Sequence, residues 1–340
     1  MSLNRRRFLS LSLGRGAAAL AGGFALSGAK NSPSEAAVTR RAWALGSDVS
    51  MTVMGLPADR AERALDAAFA ELELVEQLMS LYRPRSQLCR LNRERILHQP
   101  HPYFLAVLAM AEQTSRQSEG AFDITVQPLW QLFADCQKQN RLPADNEIVS
   151  VRSAVDWRAV EVSRGQIRLR APATAITLNG IAQGFAADRA VATLRDHGVE
   201  HALVNSGEIG CLGRKPDGDD WTVGVQHPRE PDAFVALTSL QGRSLATSGD
   251  YETAFSEDFS KNHIFDPRTG HSPSELASVS IAAPTAMQAD ALSTAAMVLG
   301  ADRTLALMES LPDVDALLVL KQGRVLRSQG FFQIEKRDHG

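Results

Sequence analysis

Residues 178–185 read Leu178-Asn179-Gly180-Ile181-Ala182-Gln183-Gly184-Phe185, and what this stretch opens decides the class of fold. A helical pattern runs over residues 185–197 and stops before Gly198. A short apolar strand follows at residues 202–204, and Asn205-Ser206-Gly207-Glu208-Ile209-Gly210 leaves it as a glycine-rich turn. A helix start exposes unpaired N–H groups and the positive end of a dipole, which suits a phosphate. The glycine spacing matches neither the dinucleotide fingerprint nor the P-loop. Taken alone, glycines that serve tight turns account for both stretches equally well.

On either side of this stretch, helices and strands stay interspersed. Ala61, Leu65, Ala68, Leu72, Val75 and Met79 form one helical stripe over residues 59–79, and residues 44–54 are read as a first strand. A second helix covers residues 104–118, introduced by Pro102 and stopped by Gly120. Residues 136–147 are polar, contain Pro143 and are read as a loop. Val160, Val162, Ile167 and Leu169 alternate around Arg164-Gly165, which predicts a hairpin. Trp221, Val223 and Val225 alternate as a strand with one buried face. Residues 278–283 form a further strand, residues 290–299 a helix ended by Gly300, and Lys321-Gln322-Gly323-Arg324 the turn of another hairpin. No repeat is present at solenoid periods. The pattern predicts an α+β domain with mixed, largely antiparallel sheets and packed helices.

Composition bounds the function. The net charge is -3, so no global basic field recruits nucleic acid. Cys89, Cys136 and Cys211 form no CxxC and no disulfide scaffold. The N-terminus stands apart: Asn4-Arg5-Arg6-Arg7-Phe8-Leu9-Ser10 precedes an Ala- and Gly-rich apolar stretch. That order resembles a twin-arginine export signal. Arg15 and the glycines make the stretch weak as a membrane span. The expectation is a signal peptide over residues 1–29, a linker over 30–40 and one domain over 41–340, exported to the periplasm and not membrane-spanning. Removing residues 1–29 moves the formal charge from -3 to -7.

Two more regions carry polar chemistry. Ala246-Thr247-Ser248-Gly249-Asp250-Tyr251 and Asn262-His263-Ile264-Phe265-Asp266-Pro267-Arg268-Thr269-Gly270 offer hydroxyls, a histidine and carboxylates. Hydroxyls bind phosphate oxygens, and a histidine moves a proton near neutral pH; Asp-Pro-Arg-Thr-Gly also reads as an ordinary turn. Asp290 and Thr294 stand four apart and share a helix face. A carboxylate and a hydroxyl are hard-oxygen donors suited to Mg²⁺, while an Asp near a helix start also serves the dipole.

In this order the segments resemble the ApbE family, the FAD:protein FMN transferases. The resemblance spans roughly residues 43–300 and adds Met79-Ser80-Leu81-Tyr82, Ser86 to Asn92 and Gly120-Ala121-Phe122-Asp123-Ile124-Thr125 to the segments above. It implies an ApbE-like fold, FAD as substrate, Mg²⁺, and an acceptor flavoprotein whose threonine receives FMN as AMP leaves. It implies metal ligation by the Asp290 and Thr294 side chains and the Gly180 carbonyl. It implies FAD contacts from Leu45, Ser80, Leu81, Tyr82, Asp123, Gln183 and Ile264. His263 would assist removal of the threonine proton, and Thr247 and Asp250 would shape the phosphate pocket.

Two departures stand out. Gln183 occupies a position where the family commonly has lysine, and Glu208 stands where it often has Gly-Asp. Residues 178–184 resemble the NosX branch, linked to nitrous oxide reductase maturation, for which the implied acceptor is the membrane flavoprotein NosR. Two other activities share the same residues: an FAD carrier without transfer, and an Mg²⁺-dependent FAD pyrophosphatase with water as the acceptor.

Overall fold

The computed structural model describes residues 37–334; the expected signal peptide and most of the expected linker lie outside them. Strands β1 (Val38–Ala44) and β2 (Ser47–Met54) form a hairpin around Leu45 and Gly46. Both turn residues have positive φ, 54° and 79°, the geometry that matches the twist of flanking antiparallel strands. The single strand expected over residues 44–54 is therefore the second arm of a hairpin, and its first arm begins at Val38, inside the expected linker. Helix α1 (Ala58–Met79) follows, then α2 (Gln87–Glu94), β3 (Ile96–His98) and α3 (Pro102–Gln117). Helices α4 (Gln127–Lys138) and α5 (Asp145–Arg152) take both ends of the segment read as a loop over 136–147, leaving only residues 139–144 outside helices. Helix α5 gave little signal because it buries Ile148 alone, whereas α4 carries Leu129, Phe133 and Cys136 on one buried face.

The hairpin around Arg164-Gly165 forms as expected, with β4 (Val160–Ser163) and β5 (Gln166–Leu169). Helix α6 (Ala182–Asp196) leads to β6 (His201–Asn205), β7 (Ile209–Leu212), β8 (Thr222–Gln226), β9 (Phe234–Ser239), β10 (Ser244–Gly249) and β11 (Leu276–Ala283). Helices α7 (Ala286–Leu299) and α8 (Ala301–Glu309) precede β12 (Asp315–Leu320), β13 (Val325–Arg327) and β14 (Gln333–Ile334). The expected α+β class with antiparallel sheets is what the structure shows: every registered strand pair is antiparallel.

An eight-stranded sheet in the order β1-β2-β6-β7-β10-β11-β12-β13 forms the middle layer. Alternation assigns its faces. Ala202 and Val204 of β6 pack towards α1 and α6, and Leu318 of β12 packs towards α7. Leu203, Leu317 and Val319 point the other way, onto the three-stranded sheet β14-β9-β8. The large sheet is nearly split in two, because β7 and β10 share a single registered pair, Ile209 with Leu245. Residues that leave this seam are free to build a site.

Candidate active site

Helix α7 carries the two expected metal ligands, and its start lies one turn before Asp290. Thr285 caps it by accepting from Gln288 N. Asp188 of α6 accepts from the backbone N–H of Ala286 and Met287 at 2.8 and 2.9 Å. The first-turn donors are thereby satisfied, and Asp290 has no capping duty. It is only 4 % exposed and accepts from Gly184 N at 2.9 Å. Helix α6 approaches so closely that a Cβ on Gly184 would lie 2.2 Å from the Ala286 carbonyl oxygen.

The other expected ligands converge on the same face. A Cβ on Gly180 would stand 2.7 Å from Thr294 Oγ1, so the 177–181 loop runs directly over that hydroxyl. Ser248, at the end of β10, places its Oγ 3.2 Å from Thr294 Oγ1 and 2.7 Å from Ser293 Oγ. Thr247 N donates to Glu208 Oε2 at 3.1 Å across the seam of the sheet. Gln183 reaches Ser47 Oγ with its amide at 3.4 Å and lies against Gly207, where φ is +100° and a Cβ would come within 2.5 Å of Gln183 Nε2.

Electrostatics mark the same place. Burial pushes Asp290 up to about 8 against the Gly184 N–H, and the nearby Glu252 and Asp188 charges add to the rise. Burial raises Glu208 well above its ordinary value, with the Asp290 and Glu252 charges adding to it. Burial raises Glu252 to about 7. Carboxylates held in this way favour a cation nearby. Asp290, Thr294 and the Gly180 backbone supply hard oxygen donors, so the residues present fit Mg²⁺. Among the described residues no group of three or more His, Cys, Asp and Glu is placed to hold a metal ion.

The residues expected to contact the flavin lie on several elements. Leu45, in the β1–β2 turn, and Leu81, after α1, both pack on the core beneath α1. Leu45 N donates to Glu76 Oε2 at 3.4 Å, and Glu76 pairs with Arg83 at 3.2 Å. Arg83 therefore ties the 80–83 segment to the turn. Ser80 Oγ accepts from Tyr82 N at 3.1 Å, and the Tyr82 side chain is 55 % exposed. Asp123 is committed structurally: its carboxylate accepts from Thr125 N, Thr125 Oγ1 and Trp157 N at 2.7, 2.6 and 3.0 Å. It orders the turn whose Ile124 carbonyl accepts from Thr177 N, at the base of the Gly180 loop.

His263 and Ile264 sit on the long loop after β10. His263 N donates to the Thr253 carbonyl at 2.9 Å, and Ile264 N donates to Asn262 Oδ1 at 3.0 Å. Burial lowers His263 to about 4, so the imidazole is neutral at pH 7. Its Nδ1 is buried without a hydrogen-bond partner among the described residues. Asp250 is bound by cations. It is 0 % exposed, and its carboxylate is taken by Arg229 at 2.7 and 2.8 Å and by Lys321 at 3.3 Å. It anchors the start of the loop that carries His263.

Sequence reasoning missed Ser248, Ser293, Glu252, Arg229 and Lys321 as site residues. The two serines lie inside stretches already singled out, and hydroxyls beside Thr294 were the available signal. The other three had no local signal.

Together these features set hydroxyl, carboxylate and carbonyl oxygens in the seam of an antiparallel α+β scaffold. The sequence model of the ApbE family matches residues 45–318, and the chain belongs to that family. It is similar to the Treponema pallidum (strain Nichols) protein named FAD:protein FMN transferase, 33% identical over 302 residues, covering 81% of this chain and 82% of the relative. The Thermotoga maritima ApbE protein superposes with a TM-score of 0.78 at 28% identity, covering 88% of this chain and 100% of the other. The Pseudomonas stutzeri flavinyl transferase ApbE gives a TM-score of 0.77 at 27% identity, covering 88% and 97%.

Proposed function

We propose that this chain transfers FMN from FAD to a threonine of an acceptor flavoprotein, with Mg²⁺ bound at Asp290, Thr294 and the Gly180 carbonyl. The coarse reading, a flavin transferase, follows from family membership and from relatives of that name. The observation that supports the finer one is the convergence of Gly180, Ser248, Asp290 and Thr294 beside carboxylates raised by burial. When bound, Mg²⁺ neutralises phosphate oxygen charge.

The chain's own residues account for the rest. Leu45 and Leu81 offer an apolar wall to the flavin, and the Ser248 and Thr294 hydroxyls face the phosphates. The neutral imidazole of His263 accepts the proton of the attacking hydroxyl. A bond forms between the threonine oxygen and the flavin-side phosphorus. The bridging P–O bond breaks, and its electron pair leaves on AMP.

The wording of residues 178–184 supports an acceptor of the NosR type, and the twin-arginine stretch supports export to the periplasm. No helix among the described residues is long and apolar enough to cross a membrane. The test is mass spectrometry of a NosR-type acceptor domain incubated with the mature protein, FAD and Mg²⁺. The expected result is a gain of one FMN on a threonine, dependent on Mg²⁺. No gain with FAD still bound would favour a carrier or another acceptor. AMP and free FMN formed without acceptor would make the protein a pyrophosphatase.

A further inference from the structure

The segment from Asp250 to Ile264 contains no helix or strand, only an isolated bridge between Ala254 and Asn262. A loop of this length holds one shape only if side chains hold it. Its first residue, Asp250, is buried and gripped from two directions. Arg229, from the loop between β8 and β9, makes the two-pronged pair at 2.7 and 2.8 Å. Lys321, from the turn between β12 and β13, approaches at 3.3 Å.

The same two cations reach the far side of the loop. The Arg229 guanidinium lies 4.4 Å from the centre of the Phe259 ring. Lys321 Nζ donates to the Phe259 carbonyl at 3.0 Å. That carbonyl also accepts from Asn262 Nδ2 at 3.1 Å, and Asn262 Oδ1 accepts from Ile264 N. An unbroken line of contacts thus runs from two cations on separate sheets, through Phe259 and Asn262, to the backbone on either side of His263.

We propose that Arg229 and Lys321 are positioning residues for His263, clamping its loop at Asp250 and at Phe259. They hold the imidazole where a proton is to be taken and leave binding of the ligand to other residues. The kinetic part of this inference rests on the transferase reading.

The test uses the full mature chain. Arg229→Gln and Lys321→Met are compared with wild type by hydrogen exchange of amides 253–264, by FAD titration and by FMN transfer at saturating FAD. Exchange at those amides is expected to rise about tenfold or more while β10 and β11 stay protected. FAD affinity is expected to change by less than about threefold, and the transfer rate constant to fall about 100-fold, as for a displaced catalytic group. Arg229→Lys keeps the charge without the fork geometry and recovers part of the rate. Unchanged exchange in both variants overturns the proposal. So does a loss of FAD affinity that matches the loss of rate, which would put Arg229 in contact with the ligand. If Arg229→Gln does not fold, Lys321→Met decides alone. A wild type that transfers no FMN sinks the transferase reading, and the exchange data still decide the clamp.

Discussion

Gly184 and Asp290 are 106 residues apart in sequence, and the backbone N–H of the first donates to Oδ2 of the second across 2.9 Å. The contact aims the carboxylate and sets the distance between α6 and α7. A Cβ at position 184 would meet the Ala286 carbonyl oxygen at 2.2 Å and Asp290 Cβ at 2.7 Å. Gly184→Ala should therefore destabilise by about 2 kcal/mol through overpacking against backbone and weaken Mg²⁺ binding. Urea unfolding with and without Mg²⁺ checks both effects.

Asp188 holds the start of α7 by accepting from two first-turn N–H groups. Asp188→Ala leaves both donors buried without a partner and should cost about 1–3 kcal/mol. The loss should show in thermal unfolding, and an unchanged midpoint would mean that water replaces the carboxylate.

Asp290→Ala should retain the fold, because the roughly 1–3 kcal/mol cost of leaving the Gly184 N–H without its acceptor is offset in part by removing a carboxylate that burial already disfavours. It should abolish Mg²⁺-dependent transfer and lower metal affinity. Calorimetric titration with Mg²⁺ alone, beside the transfer assay, separates the two losses. Transfer at the wild-type rate and equal Mg²⁺ would falsify the ligand assignment.

Gln183 lies between Ser47 and Gly207. Gln183→Lys places an ammonium near raised carboxylates and should leave FAD binding intact. Flavin fluorescence reads the affinity. Loss of binding with an unchanged circular dichroism spectrum would show that residues 180–184 do not meet FAD as proposed.

The imidazole of His263 is lowered by burial to about 4, against an ordinary value of 6.5. The native state therefore binds its proton less readily than the unfolded chain. The stabilisation from a neutral His263 is complete above pH ~6.5 and is lost as pH falls from ~6.5 through about 4. His263→Gln should flatten that acid slope in unfolding measurements between those values. The same variant should slow transfer by about 10²–10⁴-fold.

Periodicity carried the reading a long way. The stripe from Ala61 to Met79 predicted α1 almost to its ends, and Arg164-Gly165 predicted its hairpin. Misreadings fell where the local signal was weak. Helix α5 buries one apolar residue, and Leu45 adopts a positive φ that its sequence does not advertise.

The chain by itself determined what depends on near neighbours. Helices follow from apolar spacing, hairpins from turn residues, and the shared face of Asp290 and Thr294 from the 3.6-residue turn. The order of its polar segments was enough to match them to a family. The tertiary structure alone decided how charges meet. Asp250 pairs with Arg229 at a separation of 21 residues, and Gly184 meets Asp290 at 106. Burial and charge proximity arise from sheet register and helix packing, which bring together residues that no local window contains. The raised carboxylates, the neutral His263 and the clamp on its loop therefore exist only in the folded molecule.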